Sequence, residues 1–315
     1  MVKVAVAGGS GGVGRAIIDA FKQQKTHDFI ILSRKLKDNP ELSVEIGAKI
    51  IGIDYTDLAS AKKTLEDNEI HTVISAMSVQ SQEQSNSQIG LIRAAAASSS
   101  VRRFVPSEFG FPYGELQAAE FPTLGLKIAA IAELKKTHLD YTKFTNGFFA
   151  DYFGIPKFKS YMSPLVLVLD IGHRVAGIPG SGDTPVVVTT TTDVGKFVVA
   201  SLALEKWSET SFVVGDRKSF NDILAISEKV TGSKFKTSYD SVEKLQRGEV
   251  TELPGHVHLY PFFPKPALQG MLAMFSSWFE SGAFDFAASG GMYLNEKFPE
   301  IIPTNIEQVI QEGWA

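Results

Sequence analysis

The chain contains no cysteine in its 315 residues. That excludes disulfides, thiolate metal sites and a cysteine nucleophile. Nor does it have an excess of positive charge. Its 31 basic residues stand against 35 acidic ones, so there is no broad basic face and direct nucleic-acid binding is not expected. No apolar run reaches the roughly 20 residues of a membrane-spanning helix. The six histidines are scattered and form no close cluster with metal-ligand spacing, so no metal site is expected. The glycine-rich run near the start is not closed by Gly-Lys-Ser or Gly-Lys-Thr, which excludes a P-loop. What is present is a globular composition, 44% hydrophobic and 21% charged. The length allows a sizeable core and about two domains. The opening MVKVAVAGG reads as a strand rather than a signal peptide. Together with the missing cysteines, it points to a reducing compartment, the cytoplasm.

The first half alternates strand and helix patterns. Residues 2–7, 29–32, 49–53, 72–76, 103–105 and 141–145 read as six strands. Helices are predicted over 13–21, from Asp57 as N-cap to about 66, over 88–97, and over 120–136 with Pro122 in the first turn. Such alternation predicts an α/β, Rossmann-like, doubly wound parallel sheet covered on both faces. The second half is less regular. Strands are expected over 166–170, 186–189, 211–214 and 235–238. Helices are expected over 193–204, 220–230, near Val242, over 268–279, and from Thr304, which forms a capping-box spacing with Glu307. The expected division is a dinucleotide-binding domain over residues 1–155 and a smaller, mixed substrate-binding lobe over 156–315. Some segments of the lobe are expected to return to the main sheet.

The sharpest motif is GGSGGVG at residues 8–14, placed directly between a strand and a helix. Gly8 permits the tight turn, Gly11 lets the backbone approach a pyrophosphate, and Gly14 lets helix and strand pack closely. With Gly12 and Val13 they open a helix whose free amides suit an anion. The second strand ends in Ser33, Arg34 and Lys35, where an NAD site usually carries a carboxylate. A guanidinium grips a 2′-phosphate that a carboxylate would repel, so NADP(H) is expected over NAD(H). Asp54, at the end of the third strand, is expected beside the adenine. Ser75, Ala76 and Met77, ending the fourth, are expected along the middle of the dinucleotide.

Three pieces of the chain resemble isoflavone reductase-like and NmrA-like proteins, atypical members of the short-chain dehydrogenase superfamily. They are the glycine turn, the FVPSEFG segment at 104–110, and the helix carrying Lys127 with its spacing to Tyr141 and Thr142. The resemblance is strong over about the first 155 residues and looser beyond. It implies NADPH-dependent reduction of a small aromatic or phenolic metabolite, with Lys127 as the catalytic residue. The family also contains dinucleotide-sensing regulators, which would add a regulatory protein partner and little chemistry. An epimerase or dehydratase is a third, weaker alternative. The Tyr-x-x-x-Lys pair of ordinary short-chain dehydrogenases is missing, since Thr123 stands four residues before Lys127. The paired arginines of many plant reductases are missing too; Ile131 and Ala132 stand in their place.

A lysine beside the nicotinamide ribose can orient the ring through the hydroxyls, or donate a proton to an oxygen that turns anionic. Pro106 and Ser107 are expected to shape the loop on the cofactor side, with Phe109 near the nicotinamide. Glu108 is read as a helix cap or a partner for Lys127. Asn146 and Phe148, after the sixth strand, are candidates for cofactor contact. Phe148, Phe149, Tyr152 and Phe153 suit one wall of a substrate pocket. Tyr260, Phe262 and Phe263, or Met271, Met274, Phe275 and Trp278, suit the other, although for any single aromatic plain core packing is the preferred reading. For His256 and His258 a substrate contact is the functional reading. Monomer and homodimer are both compatible with the sequence.

Overall fold

The computed structural model describes residues 1–34, 40–286 and 290–315, with the backbone alone described for 40–42. The first half runs β1 (Lys3–Ala7), α1 (Gly12–Gln24), β2 (Asp28–Ser33), α2 (Pro40–Ile46), β3 (Ile50–Gly52), α3 (Leu58–Asp67), β4 (Thr72–Ser75), α4 (Gln82–Ala97), β5 (Arg103–Val105), α5 (Glu115–Glu120), α6 (Pro122–Leu134) and β6 (Asp140–Tyr141). The six strands form one parallel sheet in the order β3-β2-β1-β4-β5-β6. Successive side chains of β1 serve opposite faces. Val4 and Val6 join a core with Ile17, Ile18 and Phe21 of α1, while Ala5 and Ala7 join one with Leu65, Leu91, Ala130 and Leu134 of α3, α4 and α6. The strand order reverses between β1 and β4, which opens a crevice at their carboxyl ends.

The structure departs from the predicted boundaries in informative places. Helix α4 begins at Gln82, not near 88. Ser81 caps it by accepting from the Gln84 amide, and the polar QEQSNS turns hide its start from a hydrophobic pattern. The helix expected over 120–136 is α6, with Pro122 in its first turn, and it is preceded by a short helix, α5, that the pattern did not single out. The chain breaks at Phe121, which has extended backbone, because Pro122 has no N–H to continue the α5 ladder. The expected strand over 141–145 divides at buried Thr142, whose hydroxyl pairs with that of Ser211 at 2.8 Å. Only β6 belongs to the main sheet; β7 (Lys143–Thr145) pairs with a strand of the second half.

The second half continues with β8 (Phe148–Phe149), β9 (Leu169–Asp170), β10 (Val175–Pro179), β11 (Pro185–Thr189), α7 (Thr191–Ser201), β12 (Thr210–Phe212), β13 (Asp216–Ser219), α8 (Phe220–Thr231), β14 (Lys236–Asp240), α9 (Val242–Gln246), α10 (Pro254–Val257), α11 (Lys265–Glu280), β15 (Met292–Tyr293), α12 (Leu294–Lys297) and α13 (Ile306–Trp314). Its strands make three small sheets: β14-β10-β9, β13-β11-β8 and β15-β12-β7. A helix makes the return to the first half. Val194, Phe197 and Val198 of α7 pack in the core that α1 shares with β1. The last helix is capped by Asn305 with Gln308, one residue later than the Thr304–Glu307 spacing suggests. The Thr304 amide is already engaged, donating to the buried carboxylate of Asp193.

Candidate functional site

The glycine turn sits at the reversal of the sheet. Gly8 has φ +79°, and a Cβ there would lie 2.6 Å from the Ala76 carbonyl oxygen. A Cβ on Gly14 would strike the Gly8 carbonyl. These two positions therefore require glycine, and they draw the start of α1 against the ends of β1 and β4. The Gly11 amide donates to the Gly8 carbonyl, which closes the turn at 3.1 Å. Gly11 is the N-cap of α1. No side chain caps that end and no acidic residue lies in its first turn, so the amides around Gly12 and Val13 are left for an anion. A segment that the pattern did not single out crosses the same end. Met162 lies over Gly12. Tyr161 donates to Asp19 at 2.6 Å, with the Arg15 guanidinium 5.2 Å from its ring centroid.

Arg34 stands at the end of β2, half-exposed, with its guanidinium 4.0 Å from Glu83 at the start of α4. Its charge also reaches buried Tyr55, opposing the burial that pushes that phenol far up. Asp54 is exposed, and hydrogen bonds from the Thr56 hydroxyl and amide hold its carboxyl below the usual range. Lys35 lies outside the described residues.

At the other end of the crevice, the loops after β4 and β5 are joined by a residue that the motifs did not supply. Gln88 of α4 is fully buried. Its Oε1 accepts from Ser75 Oγ at 2.7 Å and from the Ser107 amide at 2.9 Å. Ser107 Oγ donates to the Met77 carbonyl at 2.8 Å. The Gln88 Nε2 is buried without a protein partner. Its signal was present in the spacing: Gln88 shares a helix face with Leu91, Ile92 and Ala95, and a polar residue on a buried face needs partners.

Pro106 is buried, and Phe109 stacks on Phe144 at 6.0 Å. Asn146 is fully buried. Its backbone N–H donates to the Gly110 carbonyl, its Nδ2 donates to the Gly147 carbonyl, and its Oδ1 has no protein partner. Phe148 packs among Tyr152, Phe153, Phe279 and Phe284, so its ring belongs to the aromatic core rather than to an open wall. Glu108 is 4% exposed, and its Oε2 accepts from the Tyr113 hydroxyl at 2.6 Å. Burial pushes its carboxyl up, opposed first by the charge of Lys127, then by the Tyr113 hydrogen bond and the charge of Lys143. Lys127 is half-buried on α6.

A cavity of about 950 Å³ lies beside the start of α6. Phe121, Leu245, Phe263, Met271 and Met274 line it, with Glu120 and Glu280 as its charged residues. Of the residues expected to form a second wall, Phe263, Met271 and Met274 line this cavity, but Lys127 and the expected first wall of Phe148, Phe149, Tyr152 and Phe153 do not; Phe262 is 87% exposed and Trp278 is buried with its indole N–H on Glu120. His256 is buried in its own helix cap, accepting from the Leu253 amide.

The profile of the NmrA-like family matches residues 2–310. The chain belongs to the NmrA-like family. Over 305 residues it is 46% identical to Oxidoreductase BOA1 of Botryotinia fuckeliana, covering 96% of this chain and 97% of the relative. It is 34% identical to Oxidoreductase swnN of Metarhizium robertsii, over 100% of this chain and 98% of that one. A leucoanthocyanidin reductase–NADPH complex from Vitis vinifera matches with a TM-score of 0.74 at 20% identity, covering 98% of both chains. That likeness is one of fold.

Proposed function

We propose that this NmrA-like chain is an NADPH-dependent reductase of a small aromatic or phenolic molecule, with Lys127 at the reacting end. The observation that carries the reading is the glycine turn at the reversal of the sheet, where Gly8 and Gly14 have no room for a Cβ and the start of α1 has no side-chain cap. The residues fit a dinucleotide. The amides at Gly11, Gly12, Val13 and Gly14 would hold its pyrophosphate, and Arg34, with Lys35, the 2′-phosphate. Asp54 would flank the adenine. Ser75, Ala76, Met77, Pro106, Ser107 and Phe109 would line its middle and nicotinamide end, with Asn146 behind them; Phe148 supports that wall from the core. Bound there, NADPH supplies hydride. Both relatives described above are named oxidoreductases, which favours turnover over pure sensing.

Lys127 orients the nicotinamide ribose or hands a proton to the oxygen that becomes anionic. The cavity beside α6 suits a flat apolar substrate. Among its described lining residues there are two carboxylates and no lysine, arginine or histidine, which disfavours an acidic one. We read residues 1–155 as the cofactor domain and 156–315 as the substrate lobe, in a cytoplasmic setting. No helix among the described residues is long and apolar enough to cross a membrane. The test is NADPH oxidation, followed optically, over isoflavones, lignans, benzylic ethers and quinones. Turnover of one class is expected. Tight NADPH binding with no turnover in any class would favour the sensor reading instead.

A further inference from the structure

Gly8 and Gly14 are crowded by the turn itself and by the end of β4, but Gly12 is crowded from outside. A Cβ on Gly12 would lie 2.5 Å from the sulfur of Met162 and 3.4 Å from the Tyr161 carbonyl oxygen. Met162, from the second half of the chain, therefore packs on the backbone at the start of α1. Three ties hold its segment there. The Ser160 hydroxyl donates to Asp151 at 2.6 Å and accepts from the Met162 amide at 3.1 Å. Asp151 is fully buried and also accepts from the amide and hydroxyl of Thr191, the first residue of α7, at 2.8 and 2.6 Å. The Tyr161 hydroxyl donates to Asp19 of α1 at 2.6 Å, and the Lys159 ammonium stands 3.3 Å from the same carboxylate. The segment is thus anchored on one side where α7 begins and on the other along α1, two helices that share a core.

We propose that residues 160–162 are a strap over the pyrophosphate site, with Met162 as a further cofactor-contacting residue and Ser160 and Tyr161 as its positioning residues. This rests on the reductase reading for its occupant. A thioether is only a weak acceptor, so Met162 covers the free amides of α1 without capping them. Those amides keep their pull on an anion, and that pull is stronger in a site closed to water. Methionine is also flexible, so it yields to an entering dinucleotide and packs over it afterwards. The ties are unequal. Buried Asp151 makes Ser160 the fixed end, whereas Tyr161 is 38% exposed and its bond to Asp19 is the one open to water. The strap opens there first, and its opening sets the release of the dinucleotide.

Stopped-flow exchange tests it. NADPH-loaded protein is mixed with excess NADP+, and the loss of bound-NADPH fluorescence gives the dissociation rate. Met162→Ala is expected to raise that rate about tenfold, since truncated contacts act mostly on release. Met162→Leu, which keeps the volume, is expected to stay within about twofold of wild type. Tyr161→Phe keeps the ring and loses the bond to Asp19, and it is expected to raise the rate about threefold. Association is not expected to slow in any of them, because a strap hinders entry as well as exit. An unchanged dissociation rate in Met162→Ala, or a slowed association, would overturn the proposal. Neither residue is fully buried, so folding does not stand between the question and its answer. Hydrogen exchange supplies an arm that needs no cofactor. In protein without nucleotide, the Gly12 and Val13 amides are expected to exchange faster in Met162→Ala than in wild type, and equal exchange would also overturn the strap. If the wild type binds neither NADPH nor NADH, the cofactor reading fails and takes the proposed occupant with it, while exchange still decides whether residues 160–162 cover the helix start.

Discussion

The two ends of the crevice are built by different physics. The turn end is shape: backbone amides, two positions where a Cβ cannot fit, and a helix start without a side-chain cap. Its charged groups, Arg34 and Asp54, lie out in solvent. The Lys127 end is buried polarity: Gln88 binding two loops, and Glu108 with an unpaired oxygen. One end can therefore hold a large anion without desolvating any side-chain charge. The other keeps a charge-bearing group out of water, where its field on a neighbour is strong. Binding and chemistry should thus be separable by mutation, and the contrast between the ends is open to direct attack.

The largest effect is expected from Gly14→Ala. The new methyl strikes the Gly8 carbonyl, so the helix start must shift. Dinucleotide binding is expected to fall below detection in a fluorescence titration, with a stability loss of about 1–3 kcal/mol in a denaturant melt. Normal binding would mean that the turn is not the cradle. Next comes Lys127→Ala, expected to lower turnover at least about tenfold with NADPH affinity nearly unchanged. Affinity and turnover falling together would erase the distinction between the ends. Arg34→Ala is expected to weaken NADPH about tenfold, the scale of a solvent-exposed charge-assisted bond, and to leave NADH alone. Equal loss for both would place Arg34 away from the 2′-phosphate.

The turn end was legible in the sequence and the Lys127 end only in part. A strand, a glycine spacing and a helix are local signals, and residues 3–24 fold as their pattern reads. The basic residue closing β2 is likewise local. Lys127 came from resemblance, and the burial of Glu108 with its Oε2 on the Tyr113 hydroxyl depends on how the loop after β5 folds, which no periodicity reveals. Gln88 was hidden because polar turns masked the start of α4 and moved the predicted helix six residues late. Phe148 packs in the core, the reading preferred for a single aromatic, but its partners at residues 279 and 284 depend on how the second half folds back and were not legible. The second half was harder throughout. Its sheets pair β7 with β12 and β8 with β11, strands that do not follow each other in the chain, whereas every pairing of the main sheet except β1 with β4 joins consecutive strands.

The smallest effect is the most discriminating, because the two ends should respond to pH with opposite sign. Hydrogen bonds from Thr56 hold the Asp54 carboxyl below its unfolded value. Its contribution is present above that value and is lost as pH falls through the folded one. Burial holds Glu108 above its unfolded value, so the folded state there binds the extra proton. The Glu108 contribution is complete below about pH 4.3 and is lost as pH rises through the raised folded value. Glu108→Gln keeps an oxygen for Tyr113 and removes the titration. Relative to wild type it should gain stability steadily from about pH 4 upward and then level off. Lys127→Met should carry the wild-type decline on to higher pH before it levels off, because the ammonium lowers the raised folded value of Glu108. Denaturant midpoints measured across that range check both. A Glu108→Gln protein that ran parallel to wild type at every pH would mean that no charge is buried in the loop, and the two ends would then differ in sequence but not in kind.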